Sequence, residues 1–262
     1  TSHTAPPGYG NYAAHLAALV AGGVPVHTID SSFSRDAAAN RHVAQFVQQA
    51  LGGAEAFDLI HTHAGVPTAI ALSLTAGVPG ARVPVVQTMH GWGLHKTADH
   101  TRTDLNAMRR ADRVVVPSEH SKHLLTSMGM PERMVSVISY GVEPMTSAPS
   151  PSDPLLREMR EWRLRGGDVI CTTGTVGARK NQGIILESLT RLLGPESLLC
   201  VVVGEGDTGT LQTDARRLGV DERVRICGHR PDARVVSAAA DYFILPSLSE
   251  GLPTVVCEAM NC

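Results

Sequence analysis

Two carboxylates near the end of the chain could accept hydrogen bonds from the hydroxyls of a ligand. Glu250 and Glu258 have seven residues between them in the stretch Pro246 to Met260, directly after the apolar run Ala240 to Leu245. The apolar run predicts a buried strand, and the stretch after it predicts a turn that leads into a helix. Ionised carboxylates only accept hydrogen bonds. Two carboxylates at such a turn therefore suit a ligand with hydrogen-bond donors such as hydroxyls.

The start of this last predicted helix offers groups that suit phosphate or sugar oxygens. The first amides of a helix lack intrahelical partners and carry a partial positive charge, which favours anions. Pro253 is predicted as the first helical residue, because its missing N–H costs nothing there. We therefore expect backbone amides around Pro253 to bind a ligand.

A second candidate loop follows the predicted strand Val169 to Thr173 and carries two adjacent cations. Arg179 and Lys180 lie in a glycine-bearing turn that begins at Gly174. Such a pair suits an anionic ligand, a diphosphate above all, and the alternative is a solvated surface pair. The turn lacks the Gly-Lys-Ser/Thr ending of a Walker loop. The chain also has no Asp-x-Asp and no Cys/His cluster with ligand spacing, so we expect protein cations rather than a metal to hold phosphates.

A third loop, Gly204 to Gly209, matches Gly-x-Gly-x-x-Gly between a predicted strand and a predicted helix. This pattern raises the alternative of a nicotinamide-dependent oxidoreductase, which needs an acidic residue at the end of the next strand to hold the ribose. That strand ends Ile226 to Arg230 with no acidic residue. The pattern alone therefore gives little support to this alternative.

Three histidines follow predicted strands. His61 and His63 end one strand, and His90 comes just after the strand Val83 to Thr88. Residues i and i+2 of a strand share a face, but two histidines do not complete a zinc site, so a metal is disfavoured. His90 is placed to face a cleft, and the alternative is a structural or solvated loop histidine.

Apolar strand patterns alternate with helical patterns along almost the whole chain, from a helix beginning at Tyr12 and a short strand Val24 to Ile29 onwards. This alternation predicts an α/β fold with two Rossmann-like, doubly wound parallel-sheet domains that face a cleft. We expect the first domain over 1–144, a Pro- and Ser-rich linker over 145–166 and the second domain over 167–262.

The composition fits a globular protein and excludes several classes. The chain has 262 residues, of which 43% are hydrophobic and 18% charged, and its net charge of −2 gives no basic footprint for nucleic acid. No apolar run reaches the roughly 18–20 residues of a membrane span. The five cysteines show no disulfide framework, which predicts a reducing, cytoplasmic setting.

The stretch that holds both carboxylates resembles the Glu-x7-Glu signature of retaining glycosyltransferases of family 4, which have the GT-B fold. Other motifs of that family follow in the same order over nearly the whole chain: Gly8-Tyr9-Gly10, His61-Thr62-His63, Thr88-Met89-His90-Gly91, Ala111-Asp112-Arg113-Val114 with Pro117-Ser118, Arg179-Lys180, Val203-Gly204-Glu205-Gly206, and Ala240-Asp241 with Pro246-Ser247. The resemblance implies transfer of a sugar from a nucleotide-diphosphate sugar to an acceptor hydroxyl with retention of anomeric configuration.

The resemblance also implies which residues contact the diphosphate. Arg179 and Lys180 would hold it and stabilise the charge of the leaving group, as fixed positive charge should. Backbone at Gly8, Gly10 and Gly174 would approach the phosphates.

The same resemblance assigns the sugar and the nucleoside. Glu250 would bind hydroxyls of the donor sugar, and Glu258 would bind those of the ribose. His90 would face the sugar from the first domain, and backbone near His229 and Arg230 would meet the base. The remaining contacts with the donor sugar and phosphate would come from the backbone of Gly251, Leu252, Pro253 and Thr254.

The chain departs from the family pattern in two respects. Thr175 stands where many members have Arg, which weakens phosphate binding unless Arg179 compensates. The pattern's first strand and its last strands and helices are absent, so we expect an incomplete C-terminal domain and truncation at both ends.

The resulting expectation is a metal-independent hexosyltransferase of bacterial type that uses a UDP- or GDP-sugar and no cofactor. Its first domain would serve the acceptor, which is a small molecule, a glycan or an envelope component, and association with a membrane surface stays open. The alternatives are a catalytically weak module that binds nucleotide sugars or phosphates and, less favoured, the NAD-dependent oxidoreductase.

Overall fold

The computed structural model describes residues 12–29, 38–76, 83–94, 96–145, 150, 152–192 and 198–262. By contacts between residues the chain divides into two compact units. The first contains 12–140 together with Glu250–Leu252, and the second contains Gly141–Ser249 and Pro253–Cys262. None of the helices among the described residues is long and apolar enough to cross a membrane.

The first unit contains a four-stranded parallel sheet in the order β1-β2-β3-β4. Its helices and strands are α1 Tyr12–Ala21, α2 Arg41–Ala50, β1 Ile60–His63, α3 Gly65–Thr75, β2 Val85–Thr88, α4 Ala98–Arg110, β3 Arg113–Val116, α5 Glu119–Ser127 and β4 Val135–Val137. Each pair of neighbouring strands is joined through a helix, as parallel pairing requires. The core packs Val114 and Val116 of β3 against Leu105, Met108 and Leu125 of the covering helices.

The second unit also has a parallel sheet, but its strand order reverses. The elements are α6 Pro154–Leu164, β5 Asp168–Thr173, α7 Gly183–Leu189, β6 Leu198–Val203, α8 Thr208–Arg217, β7 Val224–Ile226, α9 Ala233–Ala238, β8 Tyr242–Phe243 and α10 Thr254–Met260. The sheet order is β7-β6-β5-β8. The chain therefore moves outward from β5 to β7 and then crosses back to pair β8 with the other side of β5.

The two central strands of the second sheet are covered on both faces, which explains why β6 is apolar throughout and β5 is apolar over Val169, Ile170 and Cys171. Ile170 packs on one face with α7 and α8, while Val169 and Cys171 pack on the other with α6 and α9. A strand buried on both faces has no polar alternation. The apolar runs that predicted these strands thus have a direct physical cause.

Several predicted elements differ from the observed ones. Val24 to Ile29 forms no strand in the part of the chain that the structure describes, because a strand needs a partner strand that supplies a ladder of backbone hydrogen bonds. The buried strand predicted from Ala240 to Leu245 is limited to Tyr242–Phe243, since only Ile170 and Cys171 of β5 pair with it, and Tyr242 is exposed rather than buried. The last helix begins at Thr254, so Pro253 caps it from outside rather than forming its first turn.

Candidate active site

The reversal of strand order in the second unit marks the point where its candidate binding loops meet. Strands β5 and β8 are neighbours, and the loops after them contain Lys180 and the segment Pro246 to Ser249 respectively. In open parallel sheets, ligands bind beyond the carboxyl ends of the strands where the order reverses. The topology therefore brings the predicted diphosphate loop and the predicted sugar loop to one edge.

Direct hydrogen bonds join these two loops. The Leu248 amide donates to the Arg179 carbonyl over 2.9 Å, and Nη1 of Arg179 donates to the Ser249 carbonyl over 3.0 Å. Nδ2 of Asn181 donates to the Pro246 carbonyl over 3.3 Å, and Asn181 has a positive φ of 56°. Arg179 therefore helps to shape the neighbouring loop, a role that its charge alone did not predict.

Glycines interlock the loop after β5 with the loop after β6. The Val176 amide donates to the Glu205 carbonyl over 2.6 Å, and the Asp207 amide donates back to the Val176 carbonyl over 3.1 Å. A Cβ on Gly204 would lie 2.0 Å from the Gly174 carbonyl oxygen, and one on Gly206 would lie 2.3 Å from that of Val176. The first two glycines of Gly-x-Gly-x-x-Gly are thus required by packing between loops.

The third glycine of that motif has a different environment. Gly209 lies in the first turn of α8, and a Cβ added there would meet no atom within 4 Å. The motif therefore has a structural explanation in the fold, and it supplies no separate argument for a dinucleotide.

A buried glutamine fixes the turn that precedes Lys180. Gln182 is 3% exposed; its Oε1 accepts from the Gly177 amide over 3.2 Å, and its Nε2 donates to the Thr175 carbonyl over 3.1 Å. The hydrogen bond from Gln182 thus fixes the backbone of Thr175, independently of any contact between the Thr175 side chain and a ligand. Sequence reasoning missed Gln182, because one glutamine in a loop carries no pattern.

Lys180 is half-buried, and its side chain lies along the backbone of Gly174. A Cβ at Gly174, whose φ is +141°, would approach Cε of Lys180 to 3.3 Å and Nζ to 3.5 Å. The absence of a side chain at Gly174 therefore leaves room for the lysine to reach the edge of the sheet. Glu250 and Glu258 are also half-buried.

The predicted base-contacting segment follows β7 and is held by ion pairs. The guanidinium of Arg230 pairs with Asp232 at 2.7 Å and also with Asp153, the N-cap of α6. These contacts raise the pKa of Arg230 and lower the pKa of both carboxyls. The Arg230 side chain therefore anchors the segment, which leaves the predicted role to its backbone.

His229 lies beside a partly satisfied carboxylate. Nδ1 of His229 is 3.6 Å from Oε1 of Glu205, while Oε2 of Glu205 is buried and has no hydrogen-bond partner among the described residues. A buried carboxylate oxygen without a partner is costly, so a ligand donor at this position would be stabilised. This pair lies at the ends of β6 and β7, where the base contacts were predicted.

In the first unit, the structure brings the predicted histidines together at the carboxyl ends of β1 and β2. Nδ1 of His63 is 2.8 Å from Nε2 of His90, and Nδ1 of His90 is 2.5 Å from Oη of Tyr140. His61 is directed elsewhere, with its Nε2 at 2.7 Å from Oγ1 of Thr88. Burial and the neighbouring His61 and His90 lower the pKa of His63.

The backbone directly after His63 is strained. Ala64 has φ 78° and ψ 170°, a region that is essentially reserved for glycine, and its amide donates to the Thr88 carbonyl over 3.1 Å. This conformation ends β1 and starts α3 within one residue. The strain is therefore localised beside one member of the histidine cluster.

A cavity of about 760 Å³ also lies in the first unit, against α2, β1 and α3. Its wall is largely aliphatic and includes Val43, Val47, Ile70 and Leu74. Phosphates and sugars need polar partners, so we do not assign the donor to this cavity. No group of three or more metal-ligating side chains occurs among the described residues.

Two predicted phosphate-contacting residues, Gly8 and Gly10, lie outside the described residues. Of the other site residues, the structure brings Arg179 and Lys180 next to the loop that leads to Glu250. The contact of Tyr140 with His90 was not predicted, because a tyrosine between two predicted elements is indistinguishable in sequence from an ordinary turn residue.

Comparison with known proteins decides the family. A model described as Glycosyltransferase Family 4 matches residues 3–145, and one described as Glycosyl transferases group 1 matches residues 167–262. The chain belongs to glycosyltransferase family 4. This confirms the family that the motifs resembled.

Curated relatives of this family-4 chain include two bacterial enzymes. It is 27% identical to the Escherichia coli UDP-Gal:alpha-D-GlcNAc-diphosphoundecaprenol alpha-1,3-galactosyltransferase, over 79% of the chain and 56% of the relative. It is 26% identical to D-inositol 3-phosphate glycosyltransferase 1 of Catenulispora acidiphila, over 85% of the chain and 58% of the relative. The chain therefore spans between half and two thirds of the length of each.

Solved structures confirm the fold of the family-4 chain. The Anabaena protein HepE, in complex with UDP and glucose, matches with a TM-score of 0.76 at 23% identity, over 95% of this chain and 68% of HepE. A glycosyltransferase from Rickettsia africae matches with a TM-score of 0.67 at 18% identity, over 94% of this chain and 66% of that one. The predicted α/β fold of the GT-B type is thus confirmed.

Proposed function

We propose that the chain carries the donor-binding machinery of a retaining glycosyltransferase that moves a sugar from a nucleotide-diphosphate sugar to an acceptor hydroxyl. The observation that carries the proposal is the junction of two loops at the strand-order reversal of the second sheet. Hydrogen bonds from Arg179 and Asn181 hold the loop of Lys180 against the loop that leads to Glu250. One loop supplies positive charge, and the other supplies a hydroxyl acceptor.

The chemistry assigned to these residues follows from the reaction. The bond between the anomeric carbon and a diphosphate oxygen breaks, and negative charge grows on the departing diphosphate. A fixed ammonium at Lys180 stabilises that charge without reorganisation, and Arg179 adds a second cation. Because the protein provides this charge, we propose a reaction that needs no metal.

Carboxylates hold the hydroxyl-bearing parts of the donor in this proposal. Glu250 accepts from the sugar, Glu258 accepts from the ribose, and the amides of Gly251, Leu252 and Thr254 contact the sugar and phosphate. The buried oxygen of Glu205 beside His229 suits a donor group of the base. His90 keeps the sugar-facing role that the family pattern implies.

A UDP-sugar is the favoured donor. The E. coli relative is named for UDP-Gal, and HepE was solved with UDP-glucose. The same E. coli relative is named for a diphosphoundecaprenol-linked acceptor, which favours an envelope or lipid-linked acceptor here. We also propose a cytoplasmic setting, since the spacing of the five cysteines gives no disulfide framework.

The first experiment is a thermal-shift screen of the full chain with UDP, GDP, ADP and NAD. UDP at about a hundred times its dissociation constant should stabilise the fold by about 2.7 kcal/mol, which raises the melting temperature by several degrees. Stabilisation by NAD alone would contradict the proposal. Binding of UDP without hydrolysis or transfer of the donor sugar would favour the alternative of a binding module.

Variants then test the assigned groups. We expect Lys180→Ala to lower donor turnover by about 10²- to 10³-fold, since it removes the charge that stabilises the leaving group. Glu250→Gln should cost about 10- to 100-fold, because a charged acceptor is lost. Lys122→Ala and Glu161→Gln, on the outer helices α5 and α6, are matched controls and should leave turnover unchanged.

A further inference from the structure

Three side chains of the first unit form a continuous hydrogen-bonded row: His63, His90 and Tyr140. The rings of His63 and His90 are stacked, with centroids 5.0 Å apart and an interplanar angle of 12°. His90 and Tyr140 are stacked as well, at 5.8 Å and 26°. Both ring nitrogens of His90 therefore face a partner, at 2.8 Å and 2.5 Å.

The position of the proton on His90 depends on its two partners. A neutral imidazole carries one N–H donor and one bare nitrogen, and the hydrogen bond at one nitrogen sets the state of the other. If Tyr140 donates to Nδ1, then Nε2 must carry the proton and donate to Nδ1 of His63. If Tyr140 accepts, every bond in the row must reverse.

Tyr140 is the better donor of the two end groups. A phenol O–H is more acidic than the N–H of a neutral imidazole, and an imidazole nitrogen is a stronger acceptor than a phenol oxygen. Burial raises the pKa of Tyr140, so its hydroxyl keeps its proton. Burial and the adjacent histidines lower the pKa of His63, so its Nδ1 is an available acceptor near neutral pH.

We propose that Tyr140 and His63 are positioning residues that hold His90 as one neutral tautomer, with its proton on Nε2. The use of this proton rests on the proposed function: an oxygen of the donor sugar replaces Nδ1 of His63 as the acceptor. Until the sugar arrives, His63 satisfies the N–H and keeps the ring in place. The tautomer itself rests only on the geometry of the row.

Imidazole nitrogen-15 spectra of the full chain test the tautomer without any ligand. In the wild type near pH 7.5, Nδ1 of His90 should show the shift of a bare nitrogen and Nε2 that of a protonated one. Tyr140→Phe removes only the hydroxyl, so the two shifts should move towards their average. Tyr242→Phe, an exposed tyrosine of the second unit, is the matched control and should change nothing.

The role of His63 is tested by a pair of substitutions. His63→Phe keeps the stacked ring and removes the acceptor, so the His90 shifts should again move towards their average. His63→Asn restores an acceptor oxygen near the position of Nδ1 and should recover the wild-type spectrum. His123→Phe, on the exposed face of α5, controls for a general loss of a histidine.

Enzyme kinetics provide the second measurement. Tyr140→Phe should lower kcat for donor turnover about tenfold, the value of one hydrogen bond, with the donor KM within about twofold. His63→Phe should leave kcat within about twofold, because the donor sugar has already replaced Nδ1 of His63 as the acceptor when the reaction takes place. An equal loss of kcat in both variants would overturn the role assigned to His63 in the free enzyme.

The outcomes separate this proposal from the proposed function. A wild-type spectrum with the proton on Nδ1, or with averaged shifts, overturns the tautomer assignment regardless of the variants. An unchanged spectrum in Tyr140→Phe overturns the role of Tyr140. Correct spectra together with no sugar-nucleotide binding leave the tautomer standing and refute the proposed function instead.

Discussion

The carboxyl edges of the two sheets hold their candidate residues in different ways. In the second unit, the loops after β5 and β6 are locked by amides and carbonyls, with Gly204 and Gly206 fitted against the backbone of 174–176. In the first unit, His63, His90 and Tyr140 are held by hydrogen bonds between their own side chains. The contact between the loops after β5 and β6 is therefore made by backbone, whereas the contact among the three residues of the first unit is made by side chains.

This difference predicts which substitutions each unit tolerates. A backbone junction depends on the absence of side chains, so the residues that matter are glycines with no functional group. A row of side chains depends on hydrogen-bond donors and acceptors. Removal of a single donor or acceptor atom therefore breaks a hydrogen bond of the row and leaves the fold intact. Substitutions should therefore affect stability at the second edge and chemistry at the first.

The strongest test of the contrast is Gly204→Ala. The new Cβ would lie 2.0 Å from the Gly174 carbonyl oxygen, and the φ of +150° would add backbone strain. We expect a loss of about 3 kcal/mol or more in the free energy of unfolding, measured by urea denaturation. A loss below about 1 kcal/mol would show that the two loops are not locked.

Gly209→Ala is the matched control within the same motif. A Cβ there meets open space inside α8, so stability should stay the same or rise by up to about 1 kcal/mol, as for Gly→Ala in a helix. Equal effects at 204 and 209 would contradict the different roles assigned to the two glycines.

A side-chain lock also occurs in the second unit, at Asp153 and Arg230, and Asp153→Asn tests how far the contrast holds. Asparagine can still cap α6 but loses the ion pair, so we expect a loss of about 1–2 kcal/mol at pH 7. Arg230 holds the pKa of Asp153 below its usual value, so this stability is present above the unfolded-state pKa of about 3.9.

The pH dependence of the stability difference between Asp153→Asn and the wild type tests whether the ion pair causes it. As pH falls through the lowered pKa, the native carboxyl is protonated and the difference between Asp153→Asn and the wild type should disappear. Urea denaturation at pH 7, 5 and 3 measures it. A constant difference across this range would assign the effect to packing rather than to charge.

The smallest expected effect lies in the first unit, at the strained residue after His63. Ala64→Gly relieves a φ of 78° at ψ 170° and should raise the free energy of unfolding by about 1 kcal/mol after the entropy cost of glycine. Ala76→Gly, at a right-handed helical position at the end of α3, should instead lower it by about 0.5–1 kcal/mol. A loss at both positions would show that Ala64 is not strained.

Much of the fold could be predicted from the sequence because the second sheet is buried on both faces. Continuous apolar runs such as Leu198 to Val203 follow directly from that burial. The segment Val24 to Ile29 has a similar local pattern and yet is not a strand among the described residues, because strand formation depends on a partner elsewhere in the chain. Local patterns report burial and do not report pairing.

The family and the residue types of the site could also be predicted, but their contacts could not. Gly204 and Gly209 are both glycines of one motif. They differ only in the structure, where the carbonyl oxygen of Gly174 lies close to Gly204 and no atom lies close to the position of a Cβ on Gly209. His63 suggested a metal reading, whereas its observed partner is His90, 27 residues away in the chain. Contacts at such separation depend on strand order, which has no local signature.

The interlock of Val176 with the loop after β6 has a consequence for motion. The Val176 amide and carbonyl are both bonded to that loop, through Glu205 and Asp207, so neither loop can open alone. Their amide protons should become accessible to solvent in a single shared event. A ligand that binds at Lys180 would thus also reduce the opening of the loop at 205–207, more than twenty positions further along the chain, without contacting it.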